Sequence, residues 1–172
     1  MLNSKEDAIE MLEKLGASER LLTHAMLVSE ASAMLIDVCE EFDLNVNVSL
    51  IEIGAVLHDA GKVVCKNELD QEGSNHEAAG EKLLLKHGVA PEIARICRSH
   101  ARYDEMEVSL EELLIALADK LWKGKRVEQL ELEVVDRIAD SVGQSRWDIF
   151  PHLDDCFENI ASNGDNRLAR SY

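Results

Sequence analysis

Apolar residues recur at helical spacing along almost the whole chain, and cap residues stand before, and glycines after, the segments that carry them. That pattern restricts the fold to an all-α one. Ser4 with Asp7, Ser74 with Glu77 and Ser109 with Glu112 have capping-box spacing, in which a serine and an acidic residue three positions on satisfy each other's backbone N–H groups. Gly16, Gly61, Gly88 and Gly124 stand where four periodic stretches stop, as helix ends favour. The signals predict a short first helix, a long amphipathic second through Leu21, Met26, Val28, Leu35, Val38 and Phe42, and a third over about 49–59. A fourth is predicted from the Ser74 box to near Gly88, and a fifth from Pro91, a residue favoured in the first helical turn, to Tyr103. A sixth follows the Ser109 box, two more cover about 127–142 and 147–161, and residues 162–172 read as a polar tail. With no internal repeat or linker, the 172 residues are expected to form a single compact multi-helix bundle spanning 1–172.

The net charge of −16 argues against a nucleic-acid polymer or an anionic membrane as partner, because binding a polyanion relies on a basic face. A small anionic substrate is compatible with it. Half of the basic residues lie near the histidines discussed next: Lys62, Lys66, Arg95, Arg98, Arg102, Lys120, Lys123, Lys125 and Arg126. Residues 1–13 carry charges throughout, unlike a secretory signal, and no apolar stretch is expected to span a membrane, so a cytoplasmic location is expected. Cys39, Cys65, Cys97 and Cys156 lack Cys-x-x-Cys spacing and read as reduced thiols.

The sixth helix reads Leu113-Leu114-Ile115-Ala116-Leu117-Ala118-Asp119. A carboxylate in so apolar a run needs a partner, because an unpaired buried charge costs several kcal/mol. A salt bridge to Lys123 is the ordinary solution and a metal ion the functional one. His24, the adjacent pair His58-Asp59, His76 and His100 supply the rest of a ligand set for two divalent ions. Four imidazoles and two carboxylates suit manganese, iron, cobalt, nickel or zinc better than calcium, with magnesium also a candidate. Neighbouring residues on a helix point about 100° apart, so His58 can hold one ion while Asp59 leans across to a second. His87, beside Gly88, and His152, after Pro151, fall outside this pattern and read as structural or solvent-facing, as Lys120, Lys123, Lys125 and Arg126 read as a solvated face and Trp122 as core.

The order His24, His58-Asp59-Ala60-Gly61-Lys62, His76, His100, Asp119 resembles the HD-domain superfamily of metal-dependent phosphohydrolases, close to its HDIG-type members, over residues 18–126. The resemblance implies that His24, His58, Asp59 and Asp119 bind one metal, that His76 and His100 bind a second with Asp59 as the bridge, and that Lys62 meets a substrate phosphate. Ser99-His100 stands where many relatives have two histidines, and Ala60 where isoleucine is common; neither change removes a ligand. Arg20, one turn before His24, is a further candidate phosphate contact.

Two cations about 3.5–4 Å apart can polarise a phosphoryl oxygen and lower the pKa of water between them. The expected activity is therefore hydrolysis of a phosphate ester or anhydride of a small substrate, with a nucleotide favoured. Two alternatives stay open: a mixed-valent di-iron oxygenase of the same superfamily, and a noncatalytic helical regulatory domain. Guanosine polyphosphates are disfavoured as substrates by Lys62-Val63, where those hydrolases carry an acidic pair.

Overall fold

The computed structural model describes residues 1–171, and among them it contains helices and no strand. The ten α-helices are α1 (Lys5–Lys14), α2 (Glu19–Glu41), α3 (Val48–Leu57), α4 (Asn75–Lys86), α5 (Pro91–Ala94), α6 (Ile96–Arg102), α7 (Leu110–Leu121), α8 (Glu128–Val142), α9 (Arg146–Ser162) and α10 (Gly164–Arg170). Two 3₁₀ turns, Ala60–Val63 and Lys66–Leu69, connect α3 to α4. The capping boxes at Ser4 and Ser109 form as expected.

Helix α7 is buried from Glu112 to Asp119. A helix buried all round belongs inside a bundle, and α7 packs on α2, α3, α6 and α8. The larger core joins Leu35 and Val38 of α2, Leu113–Leu117 of α7, Val134 and Ile138 of α8, and Leu153 and Phe157 of α9. A smaller core joins Leu12 of α1, Leu21 of α2, Ile53 and Leu57 of α3, and Leu84 of α4. Helix α3 serves both cores, with Ile51 and Ala55 in the first and Ile53 and Leu57 in the second. Its carboxyl end, which carries the His-Asp pair, therefore emerges near the seam between them.

Four expectations need correction. Ser74 does not cap α4: its φ of −120° and ψ of 0° differ from the extended backbone of Ser4 and Ser109, and Glu68 takes the orphan N–H groups instead. The fifth predicted helix divides at Arg95 into α5 and α6. Residues 164–170, within the expected polar tail, form α10, held because the buried Arg167 donates to the carbonyls of Ile160 (2.7 Å) and Trp122 (3.4 Å). Helix α2 is long and apolar enough to cross a membrane, contrary to the expectation from sequence, but 56% of its apolar window is buried inside the protein. The four cysteines are unpaired, and burial pushes the Cys39 thiol up to about 12.

Candidate metal centre

Six side chains from six places in the chain converge: His24 from α2, His58 at the end of α3, Asp59 just beyond it, His76 in the first turn of α4, His100 in α6 and Asp119 in α7. His58 still has helical φ and ψ, whereas Asp59, at φ −105° and ψ 18°, has left the helix. The pair is thus split between a helix end and a turn rather than lying on one regular turn. The turn comes extremely close to α4: a Cβ at Gly61 would stand 1.8 Å from the His76 carbonyl oxygen, and one at Gly80 would stand 2.9 Å from the Gly61 nitrogen. Two glycines facing each other are what bring the Asp59 turn against the start of α4.

The two oxygens of Asp59 face different partners. Oδ1 lies 3.3 Å from His76 Nε2 and 3.4 Å from His100 Nε2. Oδ2 lies 3.1 Å from His24 Nε2, 3.5 Å from His58 Nε2 and 2.8 Å from Lys62 Nζ. Asp119 Oδ1 is 3.3 Å from His58 Nε2 and 3.9 Å from His24 Nε2. Its other oxygen meets Lys120 at 3.6 Å rather than the Lys123 considered from sequence. Donor atoms come close enough for a common ion in three sets: His24, His58 and Asp59; His58, His100 and Asp119; and Asp59, His76 and His100. His100 belongs to two of these sets, whereas the sequence comparison gave it to one.

All four imidazoles turn Nε2 inward, and three are oriented from behind. His58 Nδ1 donates to the Ala55 carbonyl at 2.7 Å, His100 Nδ1 to the Ile96 carbonyl at 3.0 Å, and His76 Nδ1 to the Glu68 carboxylate at 2.5 Å. A carbonyl can only accept, so Nδ1 carries the proton and, in the neutral ring, Nε2 keeps its lone pair for an electrophile. His24 differs: its ring stands edge-on to the buried Trp122 at 5.0 Å between centroids.

Burial opposes ionisation of Asp59 and Asp119, but the surrounding imidazoles outweigh it. With the imidazoles protonated, the field of His58 and hydrogen bonds from His100, His24 and His76 hold Asp59 well below the carboxylate range, and His58 does most to lower Asp119; deprotonated at Nε2, the same rings offer their lone pairs to a cation. Burial likewise pulls His76 down, while hydrogen bonding to Asp59 and Glu68 raises it on balance. These are carboxylates kept charged in a buried place, as a cation site needs.

Glu68 went unnoticed in the sequence. It is buried and also accepts from the backbone N–H groups of Asn75 (3.1 Å) and His76 (3.0 Å). Lying in a 3₁₀ turn eight residues before His76, it shares no spacing with any ligand. The six side chains, except for the fully buried His58, open onto a cleft of about 420 Å³ lined also by Lys62, Lys120 and Lys123. Of the nine basic residues near the ligands in sequence, these three reach it. Arg95, Arg98, Arg102 and Arg126 are engaged by carboxylates. Lys120 and Lys123 follow Asp119 by one and four residues, and the helical i, i+4 relation was the available signal for Lys123. Arg20 turns its guanidinium to Asp70 at the rim. His87 and His152 are exposed and remote from the ligands.

A helical bundle that gathers histidines and aspartates from separate helices around one cleft is the architecture of a histidine–aspartate metal-binding domain. The chain belongs to the HD-domain family, whose model matches residues 6–122. It is similar to a tRNA (cytidine(56)-2'-O)-methyltransferase of Thermoplasma volcanium, 24% identical over 79% of this chain and 41% of that protein. An uncharacterized protein of Methanocaldococcus jannaschii is 29% identical over 72% of this chain and 78% of its own length. A ribonuclease Y of Rubrobacter xylanophilus is 27% identical over 64% of this chain and 21% of the ribonuclease. The chain thus corresponds to a part of the methyltransferase and of the ribonuclease. No solved structure matches. Family membership implies divalent metal binding, and the His and Asp groups described here could hold such ions.

Proposed function

We propose that this protein is a metal-dependent phosphohydrolase that cleaves a phosphate ester or anhydride of a small substrate, a nucleotide being favoured, at a binuclear site. The observation that carries the reading is the divided carboxylate of Asp59, one oxygen facing His76 and His100 and the other facing His24 and His58. A residue serving one ion has no need of two separate imidazole pairs. The donor set fits borderline divalent ions, since four lone-pair nitrogens and two charged carboxylates converge with no competing ammonium beyond Lys62 and Lys120.

His24, His58 and Asp119 would hold one ion, His76 and His100 the other, and Asp59 both. Ions held there would polarise a phosphoryl oxygen and make hydroxide available near neutral pH. Lys62 would orient the substrate, its ammonium lying beside Asp59 with the side chain 19% exposed toward the cleft. Glu68 would keep the His76 ring in the donor tautomer. The ribonuclease Y relative, by its name, acts on RNA, which supports hydrolysis at phosphorus. The charge of −16 favours a small substrate over a polymer.

The test is metal analysis of freshly purified protein followed by phosphate-release assays over nucleotides and monoesters, with Asp59→Ala beside wild type. The expected result is metal-dependent release by wild type, and loss of both metal and turnover in the variant. Normal turnover by Asp59→Ala would overturn the binuclear assignment. Iron with oxygen consumption and no phosphate release would make the protein an oxygenase instead.

A further inference from the structure

The cations of this chain are divided in an uneven way. All nine arginines lie within ion-pair distance of carboxylates outside the proposed ligand set, Arg126 alone meeting Glu131, Asp154 and Glu158. The three lysines of the cleft have no such partner among the described residues. Lys62 pairs only with Asp59 and Lys120 only with Asp119, both proposed metal ligands, and Lys123 has no carboxylate within 4.0 Å. Of the other carboxylates lining the cleft, Glu68 is held by His76, Asp70 by Arg20 and Glu77 by Arg102, and the exposed Glu72 lies beyond ion-pair distance of all three lysines.

Lys120 stands in the last turn of α7 and Lys123 in the turn just beyond its end, and both line the cleft with Lys62. Desolvation, with the fields of Lys120, Lys125 and Lys62, pulls the Lys123 ammonium below its ordinary value against the opposing field of Asp119. The three lysines line one cleft. Where Asp59 and Asp119 are committed to cations, the lysines are left as unmatched positive charge beside the reaction centre, in a molecule that is otherwise strongly acidic.

We propose that Lys120 and Lys123 form a second anion subsite next to Lys62, so that the cleft takes a substrate with two or more adjoining phosphates in preference to a phosphomonoester. The proposal rests on the phosphohydrolase reading and narrows it to phosphoanhydrides. One phosphoryl group would lie by the ligands and Lys62, and the next would reach toward Lys120 at the end of α7 and Lys123 in the turn beyond it.

Calorimetry with manganese held in excess of the anion compares inorganic phosphate with imidodiphosphate, which resists hydrolysis, on wild type, Lys120→Gln and Lys123→Gln, with metal stoichiometry measured on each sample. Wild type should bind imidodiphosphate about tenfold or more tighter than phosphate, as added charge-assisted contacts imply. Each variant should lose most of that preference while its phosphate affinity and metal content stay unchanged. Equal affinity for the two anions in wild type, or an intact preference in both variants, overturns the subsite and leaves the phosphohydrolase reading standing. Reduced metal content in the variants would make these lysines supports of the ligand set and also overturn it. Failure of loaded wild type to bind either anion overturns the phosphohydrolase reading itself.

Discussion

Glu68 is a residue whose single carboxylate does two jobs. It closes the amino end of α4 through the N–H groups of Asn75 and His76, and it accepts the Nδ1 proton of the His76 ring. Burial works against its charge, but those bonds lower its pKa overall. Glu68→Gln keeps the shape and removes the charge, and its amide nitrogen cannot accept from the N–H groups it faces. The expected outcome is a metal affinity at the His76 set weaker by about 10–100-fold, the usual loss when a histidine ligand's supporting carboxylate goes, with a cap loss of about 0.5–2 kcal/mol in stability. Metal titration beside urea unfolding separates the two: lower stability with unchanged affinity would make Glu68 a helix cap only. Lys62→Ala is a second residue-scale case. Because Lys62 touches Asp59 without belonging to the ligand set, the variant should keep both metals and lose kcat/KM by about 1.5–3 kcal/mol, the worth of a charge-assisted hydrogen bond. Unchanged kcat/KM would leave Lys62 without a part in turnover.

Among the elements, the helices were legible where the signals were local. The boxes at Ser4 and Ser109, the stop at Gly16 and the apolar periodicity of α2 each depend on residues a turn apart, and the helices form there. The Ser74 box has the same letters and fails because Arg102 takes the Glu77 side chain, while a distant turn supplies Glu68. Helix α10 was hidden for a similar reason: its hold on the bundle comes from Arg167 reaching carbonyls at positions 122 and 160 and from Arg170 pairing with Glu30 of α2. Trp122 and Glu30 lie 45 and 140 residues away in sequence, outside any local window. The six candidate ligands were recognisable because their residue types and order are rare, but the sharing of His100 between two donor sets depends on helix packing. Helix α10 should also be acid-sensitive. Hydrogen bonds from Arg170, offset in part by desolvation, lower the Glu30 pKa. A lowered carboxylate stabilises fully above its unfolded value and loses that contribution as pH falls through its folded value. Hydrogen exchange at residues 164–170, corrected for intrinsic rate, should therefore accelerate at pH 3–4 relative to pH 7, close to the ordinary glutamate range of about 4.3. In Glu30→Gln it should be fast at both. Exchange in wild type that ignores pH would show that Arg167 alone holds the helix.

At the scale of the whole molecule, the site is costly to fold by itself. Desolvation opposes the charge of both carboxylates and repulsion from Asp59 adds to it at Asp119, so imidazoles must offset that penalty where no cation does. Anything that binds the folded site and not the unfolded chain stabilises by mass action, about 2.7 kcal/mol when a ligand is present at 100 times its Kd. Cations must also be drawn to this cleft in preference to the exposed acidic surface that gives the chain its charge of −16; surface carboxylates gain little from a dilute divalent ion because salt screens them. Manganese or zinc should therefore raise Tm by about 5–11 °C, since a domain of this size gains about 2–4 °C per kcal/mol. Chelation should reverse the shift. The same titration on Asp59→Ala should give little shift, because the residue facing both imidazole pairs is gone. Control calcium should stabilise less than either metal, its preference being for oxygen donors over imidazole nitrogen. An equal shift in wild type and Asp59→Ala would mean that the ions act on the acidic surface and would remove the thermodynamic support for a site at the seam of the two cores.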